Sequence, residues 1–139
     1  MRALMMAGVS ACLLWMGHTM TGGPNVSKAG VKEETQIAHI VYFTLNDNSQ
    51  TAKGALVTAC RKHLTKHPGE VFFRAGTRGA EFKRAVNDLD FDVALHIVFE
   101  NTAAYDRYES APRHKQFIEE NKANWKKVRV FDSVVIAEK

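Results

Sequence analysis

The sequence Asp92-Val-Ala-Leu-His-Ile-Val-Phe-Glu100 alternates between two sets of side chains. One set is large and apolar: Val93, Leu95, Ile97 and Phe99. Alternation with a period of two predicts a β-strand with one face turned to a core. His96 belongs to the opposite set. Its side chain could pack against neighbouring residues, contact a partner chain or contact a ligand.

Three more stretches have the composition of strands: Ile37–Leu45, Glu70–Arg78 and Val128–Ile136. Between the first two, apolar or small residues recur at spacings of three and four, which predicts one face of a helix. These residues are Ala52, Ala55, Leu56, Ala59, Cys60, His63 and Leu64. Ser49 or Asn48 is expected to cap its N-terminus, and His67-Pro68-Gly69 to end it.

Two helices are predicted between the third and fourth strands. The first runs from about Ala103 to Ser110 and is capped by Asn101 or Thr102. Pro112 starts the second, since proline is tolerated in the first turn. One face of this second helix should carry His114, Phe117, Ile118, Asn121 and Trp125. Residues 79–91 are expected to form a polar loop.

The resulting order, β-α-β-β-α-β, predicts an α+β domain of ferredoxin-like fold. Its four-stranded antiparallel sheet should have helices on one face only. Ile37, Val41 and Phe43 lie on one side of the first strand, and Ile40 and Tyr42 lie on the other. Large exposed apolar patches are rare in monomers, so we expect a homodimer through the uncovered face, as a dimeric α/β barrel.

The chain begins with an apolar segment. Met1-Arg2 is followed by fourteen residues, 3–16, without a charge, which is typical of an export signal and shorter than a membrane span. A buried helix is the alternative. Val9-Ser10-Ala11-Cys12 also resembles a lipoprotein box, although it lies inside the apolar run. Residues 17–35 are rich in Gly, Ser and Thr and are interpreted as a linker.

We therefore expect a signal or anchor segment with its linker over residues 1–35 and one domain over residues 36–138. The protein should be exported, to the periplasm or outside the cell, or tethered to a membrane through this segment. A length of 139 residues with two cysteines excludes a multidomain enzyme and a disulfide scaffold. The net charge of +4 decides little about partners.

Four stretches carry a resemblance to a known family: His39-Ile-Val-Tyr-Phe43, Phe91–Glu100, Tyr108-Glu-Ser-Ala-Pro-Arg-His114, and Trp125 followed by Val128–Asp132. Together they resemble the stress-responsive dimeric α/β barrel proteins over residues 37–136. The chain has Ala111 where that family usually has histidine.

The resemblance implies a cofactor-free polyketide cyclase activity, which a plant member of the family has. It implies His114 as the general base, Tyr108 as the residue that polarises a substrate carbonyl, and His39 as a pocket residue. The first helix has Ala52, Leu56, Ala59 and Cys60 where the plant cyclase has pocket aromatics.

The residues themselves support a hypothesis of convergence. His114 lies on an apolar helix face, Tyr108 is six residues upstream across Pro112, and His39 has the strand parity of Val41. Imidazole titrates near neutral pH and suits proton abstraction. The predicted pocket adds Val41, Phe43, Leu95, Phe117 and Trp125 to these three. The alternative to a functional role is a structural one for each residue: His114 as a core histidine, Tyr108 as a half-buried aromatic, and His39 as a packed histidine of the strand.

Other motifs predict little chemistry. His63 and His67, at i and i+4, could bind a metal, but the end of a helix also favours cations. No third ligand is close in sequence, and no metal or other cofactor is expected. The basic stretch from Arg113 to Arg129 lacks the aromatic pattern of an RNA-binding sheet, so no nucleic acid is expected. A haem- or metal-linked barrel is a weaker alternative.

Two functions follow from the sequence. The first is a homodimer that binds a small apolar ligand or has a structural, stress-related role. The second is a cofactor-free cyclase or lyase, with His114 as base and Tyr108 as carbonyl polariser. An open cleft that exposes both the imidazole and the hydroxyl would favour chemistry, and a packed centre would favour the structural role. Contact with a membrane is expected only through the N-terminal segment.

Overall fold

The computed structural model describes residues 35–136, which form four strands, three α-helices and one 3₁₀ turn. In chain order these are β1 (Thr35–Leu45), α1 (Gln50–His63), β2 (Glu70–Thr77), β3 (Val93–Phe99), α2 (Thr102–Ser110), α3 (Pro112–Asn121), the 3₁₀ turn (Lys122–Asn124) and β4 (Trp125–Ile136). The predicted order is confirmed. The expectations for the apolar segment, for Cys12 and for the linker up to residue 34 lie outside the described residues.

The sheet is antiparallel throughout, with the strand order β2-β3-β1-β4. β1 is central, and β4 is an edge strand. His39 of β1 lies between Ile97 of β3 and Asp132 of β4. This topology confirms the predicted ferredoxin-like α+β fold.

Local sequence explains where the helices begin. The Ser49 side chain accepts a hydrogen bond of 3.2 Å from the amide of Ala52, so Ser49 caps α1. Asn101 accepts one of 2.9 Å from the amide of Ala104 and caps α2. α3 begins at Pro112, as predicted.

The end of α1 differs from the prediction. The helix ends at His63, so His67 lies beyond the last turn. Lys66 has a φ of 61°, a left-handed conformation that no α-helix continues through. The His67 ring donates a hydrogen bond of 2.9 Å to the His63 carbonyl and so satisfies a free carbonyl at the helix end.

The position of Trp125 was also predicted wrongly. It is the first residue of β4, not part of the face of α3, because α3 ends at Asn121 and a short 3₁₀ turn follows. The last strand therefore begins three residues before Val128. The indole still reaches the expected layer, since its ring centroid lies 5.2 Å from that of Phe43.

The core lies between the sheet and the helices. The face of β1 that contains Val41 and Phe43 is buried, and so is the face of β3 that contains Leu95 and Ile97. Phe117 of α3 is buried against them, and His114, Ile118 and Asn121 are the other residues of α3 that are not fully exposed. The alternation in β3 and the inner face of α3 are confirmed. The other side of the sheet has no helix over it within residues 35–136.

Within the same residues, no helix is both long and apolar enough to cross a membrane.

Candidate ligand pocket

A pocket of about 220 Å³ opens between the inner side of the sheet and helices α2 and α3. All eight residues predicted for the site line it: His39, Val41, Phe43, Leu95, Tyr108, His114, Phe117 and Trp125. The remaining lining residues are Leu64, Tyr105, Glu109, Ile118, Val128 and Val130. The fold thus brings residues of the first strand and of the last strand, such as His39 and Val130, to one pocket.

His114 lies at the junction of α2 and α3, and one of its nitrogens is already engaged. Its Nδ1 is 3.1 Å from the carbonyl oxygen of Glu109. A carbonyl can only accept, so Nδ1 carries a proton and the neutral ring leaves the Nε2 lone pair free. Nε2 is 3.9 Å from Oε1 of Glu109, and the side chain is 13% exposed. This imidazole has the tautomer and the access that a base requires.

Tyr108 is adjacent to His114, with ring centroids 4.5 Å apart. The tyrosine is 1% exposed, and its hydroxyl has no hydrogen-bond partner among the described residues. Burial raises the pKa of this phenol well above its ordinary range, and the negative charge of Glu109 raises it further. The pocket therefore exposes the imidazole of His114 but not the hydroxyl of Tyr108. A catalytic role was expected to expose both groups, so the arrangement meets only one of the two conditions.

His39 is buried and has the partner that a buried imidazole needs. Its Nδ1 lies 2.7 Å from Oδ1 of Asp132, and its ring centroid is 5.6 Å from those of both Tyr105 and Tyr108. The hydroxyl of Tyr105 donates to the other oxygen of Asp132 over 3.2 Å. Burial, followed by the charges of Glu109 and Asp132, raises the pKa of Tyr105.

Sequence reasoning did not assign Asp132, Tyr105 or Glu109 to the site. A signal existed for Asp132, since it is a lone acid at a position with the parity of Val130 and Val134 in an otherwise apolar face of β4. Tyr105 lies one helical turn before Tyr108, so the two rings share a face of α2. Glu109 had no signal, because only the start of α3 brings the His114 ring to its carbonyl.

The possible metal pair is occupied by other contacts. His63 Nε2 is 3.0 Å from Oε2 of Glu120, an ion-pair distance without the alignment of a hydrogen bond, and His67 binds the His63 carbonyl. Within residues 35–136, no group of three or more His, Cys, Asp or Glu side chains is arranged to hold a metal ion. Cys60 is buried, and burial raises the pKa of its thiol to about 12.

The remaining histidine of interest, His96, lies on the open side of the sheet. Its ring centroid is 6.1 Å from that of Tyr42, and Arg74 lies opposite it on β2. It does not line the pocket. Its surroundings are those of the uncovered sheet face.

The sheet order, the helices on one side and the pocket between these layers define an α+β protein of ferredoxin-like fold. Residues 37–135 match the sequence model of the family described as Stress responsive A/B Barrel Domain, and the chain belongs to this family. No curated protein matches its sequence.

Solved structures have the same fold. A Dabb family protein from Mesorhizobium loti is 25% identical, with a TM-score of 0.61 over 74% of this chain and 99% of that one. A dimeric ferredoxin-like protein of unknown function from Thermobifida fusca is 18% identical, with a TM-score of 0.62 over 73% and 92%. The hydroxynitrile lyase from Passiflora edulis is 19% identical, with a TM-score of 0.59 over 72% and 93%.

Proposed function

We propose that this protein is a homodimeric stress responsive A/B barrel that binds a small, mainly apolar ligand in the pocket beside His114. The observation that carries this proposal is an open pocket with mainly apolar walls into which His114 presents Nε2, which is 3.9 Å from the nearest carboxylate oxygen of Glu109 and makes no hydrogen bond with it. Ligand sites commonly combine such walls with a few polar groups that orient the ligand. A closed, packed centre would have favoured a purely structural role instead.

The size of the pocket and its polar groups limit the ligand. A volume of about 220 Å³ lies below the usual range for drug-sized molecules, so the ligand is small. Phe43, Leu95 and Phe117 present apolar surface to it. The free Nε2 of His114 accepts a hydrogen bond, so a hydroxyl or another donor on an apolar skeleton suits this site.

A ligand screen tests the proposal. Native mass spectrometry and thermal shift would compare the wild type with His114→Ala on small aromatic and aliphatic alcohols. Lys115→Ala is the matched control, since Lys115 is the exposed next residue on α3. We expect ligands that bind the wild type and Lys115→Ala and bind His114→Ala at least fivefold more weakly, the effect of losing about 1 kcal/mol.

Two results would count against the proposal. One is the absence of any binding by the folded wild type across the panel. The other is unchanged affinity in His114→Ala, which would move the ligand away from this pocket.

The second candidate function is a cofactor-free lyase or cyclase with His114 as general base. The tautomer of His114 favours it, because Nε2 can take a proton while Nδ1 stays bound to Glu109. Tyr108 would polarise the substrate carbonyl once a side-chain movement opens its hydroxyl to the pocket. Cyanohydrin cleavage is a suitable assay, suggested by the activity named for the Passiflora edulis protein.

In that reaction His114 would take the hydroxyl proton, the carbonyl would form as the carbon–cyanide bond breaks, and the released cyanide would receive the proton. Cyanide release from aromatic and aliphatic cyanohydrins should be catalysed by the wild type and by Lys115→Ala, and abolished in His114→Ala. Equal rates with all three proteins would rule out this role for His114.

The homodimer is supported by two exposed apolar regions. On the open side of the sheet, Phe72 and Phe131 are more than two-fifths exposed. On the inner side of the edge strand β4, Val130, Val134 and Ile136 are at least half exposed. A long apolar edge strand invites pairing or aggregation unless it is covered. A second copy would cover both regions, and relatives of this fold include proteins described as dimeric.

Residues of the loop between β2 and β3 extend the open face. The loop lies against β4, where Arg129 binds Asp88 and Lys127 binds Asp90. It forms a cavity of about 410 Å³ with Tyr42 and Phe131. Val86 on this loop is 85% exposed. The loop therefore adds apolar surface to the face that the second copy would cover.

Light scattering after size exclusion tests the dimer. The wild type should elute as a dimer at micromolar concentration, and Phe131→Asp should elute as a monomer, since a charge would be buried in the interface. Ala103→Asp places the same charge on an exposed position of α2 and should remain dimeric. A monomeric wild type would refute this part of the proposal.

Export or membrane tethering is proposed from residues 1–16 alone. Their single positive charge and uncharged apolar run support it. Intact mass measurement of the protein recovered from periplasmic, membrane and soluble fractions tests it. Loss of the N-terminal residues or an added lipid mass at Cys12 would support export, whereas an unmodified full-length chain in the cytosol would contradict it.

A further inference from the structure

The polar groups of the ligand pocket have an unbalanced charge. Glu109 lines the pocket, and Asp132 binds two of its lining residues, His39 and Tyr105. Of the described residues that line it, none is a lysine or an arginine. The pocket therefore has acidic groups and no permanent cation to offset them.

The two histidines do not supply a net positive charge, because each has a carboxylate of its own. His39 Nδ1 is 2.7 Å from Asp132, and His114 Nε2 is 3.9 Å from Glu109. Protonating either ring produces a neutral pair. With both rings neutral, the two carboxylates remain. An anion entering the pocket thus meets either balanced pairs or excess negative charge.

The charge of Glu109 acts on two other lining residues of the pocket, Tyr105 and Tyr108, which lie on the same helix. Apart from burial, its charge is the largest cause that raises the pKa of Tyr105 and of Tyr108. Both tyrosines line the pocket, so a field that opposes a phenolate beside the pocket also opposes an anionic ligand within it. The Glu109 side chain is 42% exposed, so solvent screens part of this field.

From this geometry we infer that the pocket discriminates by charge: it accepts uncharged or cationic molecules and rejects carboxylates and other anions, with Glu109 as the specificity-determining residue. The inference rests on the proposed ligand-binding function and narrows its ligand class. Glu109 acts on the ligand through its charge, while its backbone carbonyl independently orients His114.

Three probes with one skeleton test the inference: 2-naphthol, 2-naphthylmethylammonium and 2-naphthoate, which are neutral, cationic and anionic at pH 7.5. Equilibrium dialysis at low ionic strength gives the affinity of each. In the wild type we expect 2-naphthoate to bind at least fivefold more weakly than 2-naphthol, the effect of a partly screened like charge. In Glu109→Gln the ratio of the 2-naphthol affinity to the 2-naphthoate affinity should fall by about fivefold.

Two further variants separate charge from structure. Glu109→Asp keeps the charge and should keep the discrimination. Glu119→Gln removes the same charge from an exposed position on α3 outside the pocket, where it pairs with Lys122, and should behave as wild type. Circular dichroism and thermal melts would establish that all variants are folded.

The outcomes are distinct. Equal binding of the anionic and neutral probes by the wild type would overturn the charge discrimination while leaving ligand binding intact. Discrimination that persists in Glu109→Gln, or that is lost in Glu119→Gln, would overturn the role of Glu109. Failure of all three probes to bind would count against the proposed pocket itself.

Discussion

Replacing Tyr108 by phenylalanine should make the protein more stable. The tyrosine is buried, and within residues 35–136 its hydroxyl has no hydrogen-bond partner. A buried hydroxyl without a partner costs about 1–3 kcal/mol, since it loses its bonds to water and gains none. Tyr108→Phe removes that cost and keeps the ring, which packs 4.9 Å from Phe99 and 4.5 Å from His114 between centroids.

Tyr105 provides the matched control on the same helix. Its hydroxyl donates to Asp132 over 3.2 Å, so Tyr105→Phe loses a hydrogen bond to a charged group. We expect that variant to lose about 1 kcal/mol, with partial exposure limiting the effect. The expected order of stability is therefore Tyr108→Phe, then wild type, then Tyr105→Phe.

Urea denaturation followed by circular dichroism measures this order. All samples need one protein concentration, because dissociation of a dimer would be linked to unfolding. A thermal melt should show the same order, since for a domain of this size a gain of about 1 kcal/mol raises the Tm by roughly 4 °C or more. If Tyr108→Phe is as unstable as Tyr105→Phe, the Tyr108 hydroxyl has a partner and the reasoning fails. If the hydroxyl serves a ligand, the stabilised variant should also bind that ligand more weakly.

Three further predictions concern other parts of the fold. Gly69→Ala should lower the free energy of unfolding by more than about 2 kcal/mol, because the φ of Gly69 is +84° and an added Cβ would lie 2.4 Å from the Cβ of Ala104. Gly54→Ala in α1 should be neutral or stabilising, because nothing lies within 4 Å of an added Cβ there. Equal urea midpoints for the two variants would contradict this. In a Cys12→Ser background, Cys60 should not react with Ellman's reagent at pH 8 until the protein is unfolded, since burial raises its pKa to about 12; rapid reaction of the native protein would contradict this. Hydrogen bonds from Arg129 and Lys127 lower the pKa values of Asp88 and Asp90. The stabilisation of the fold by these two ion pairs should therefore be complete above about pH 4 and be lost as the pH falls through the lowered pKa values. Below about pH 4, a variant with both acids replaced by Asn should lose less stability than the wild type, and identical acid unfolding curves would refute the assignment.

Most of the fold could be predicted because its signals are local. The period of two in β3 and the spacings of three and four in α1 depend on residues close together in the chain. Ser49 and Asn101 cap helices through bonds that span three residues. The errors lie at element ends. His67 falls outside α1 because the left-handed Lys66 stops the helix, and periodicity carries no information on such a residue.

The candidate site was predictable to the extent that strand parity and helix faces place side chains in one layer. Parity put His39 and Val41 on the inner face of β1, and the helix face put His114 and Phe117 on the inner side of α3. The resemblance added Tyr108. These patterns do not predict which polar atoms form hydrogen bonds with one another. Asp132 was passed over because its partner, His39, is 93 residues away in the chain.

By itself, the sequence determined the order of strands and helices, the inner face of each and the fold class, since each depends on spacing within a few residues. The tertiary structure alone decided the chemistry of the pocket: the engaged Nδ1 of His114, the His39–Asp132 pair and the unpartnered hydroxyl of Tyr108 among the described residues. It also decided that β4 is an edge strand with apolar side chains exposed. The reason is physical. A hydrogen bond forms only when donor and acceptor are positioned to within tenths of an ångström. That precision arises only when strand register and helix packing are set together.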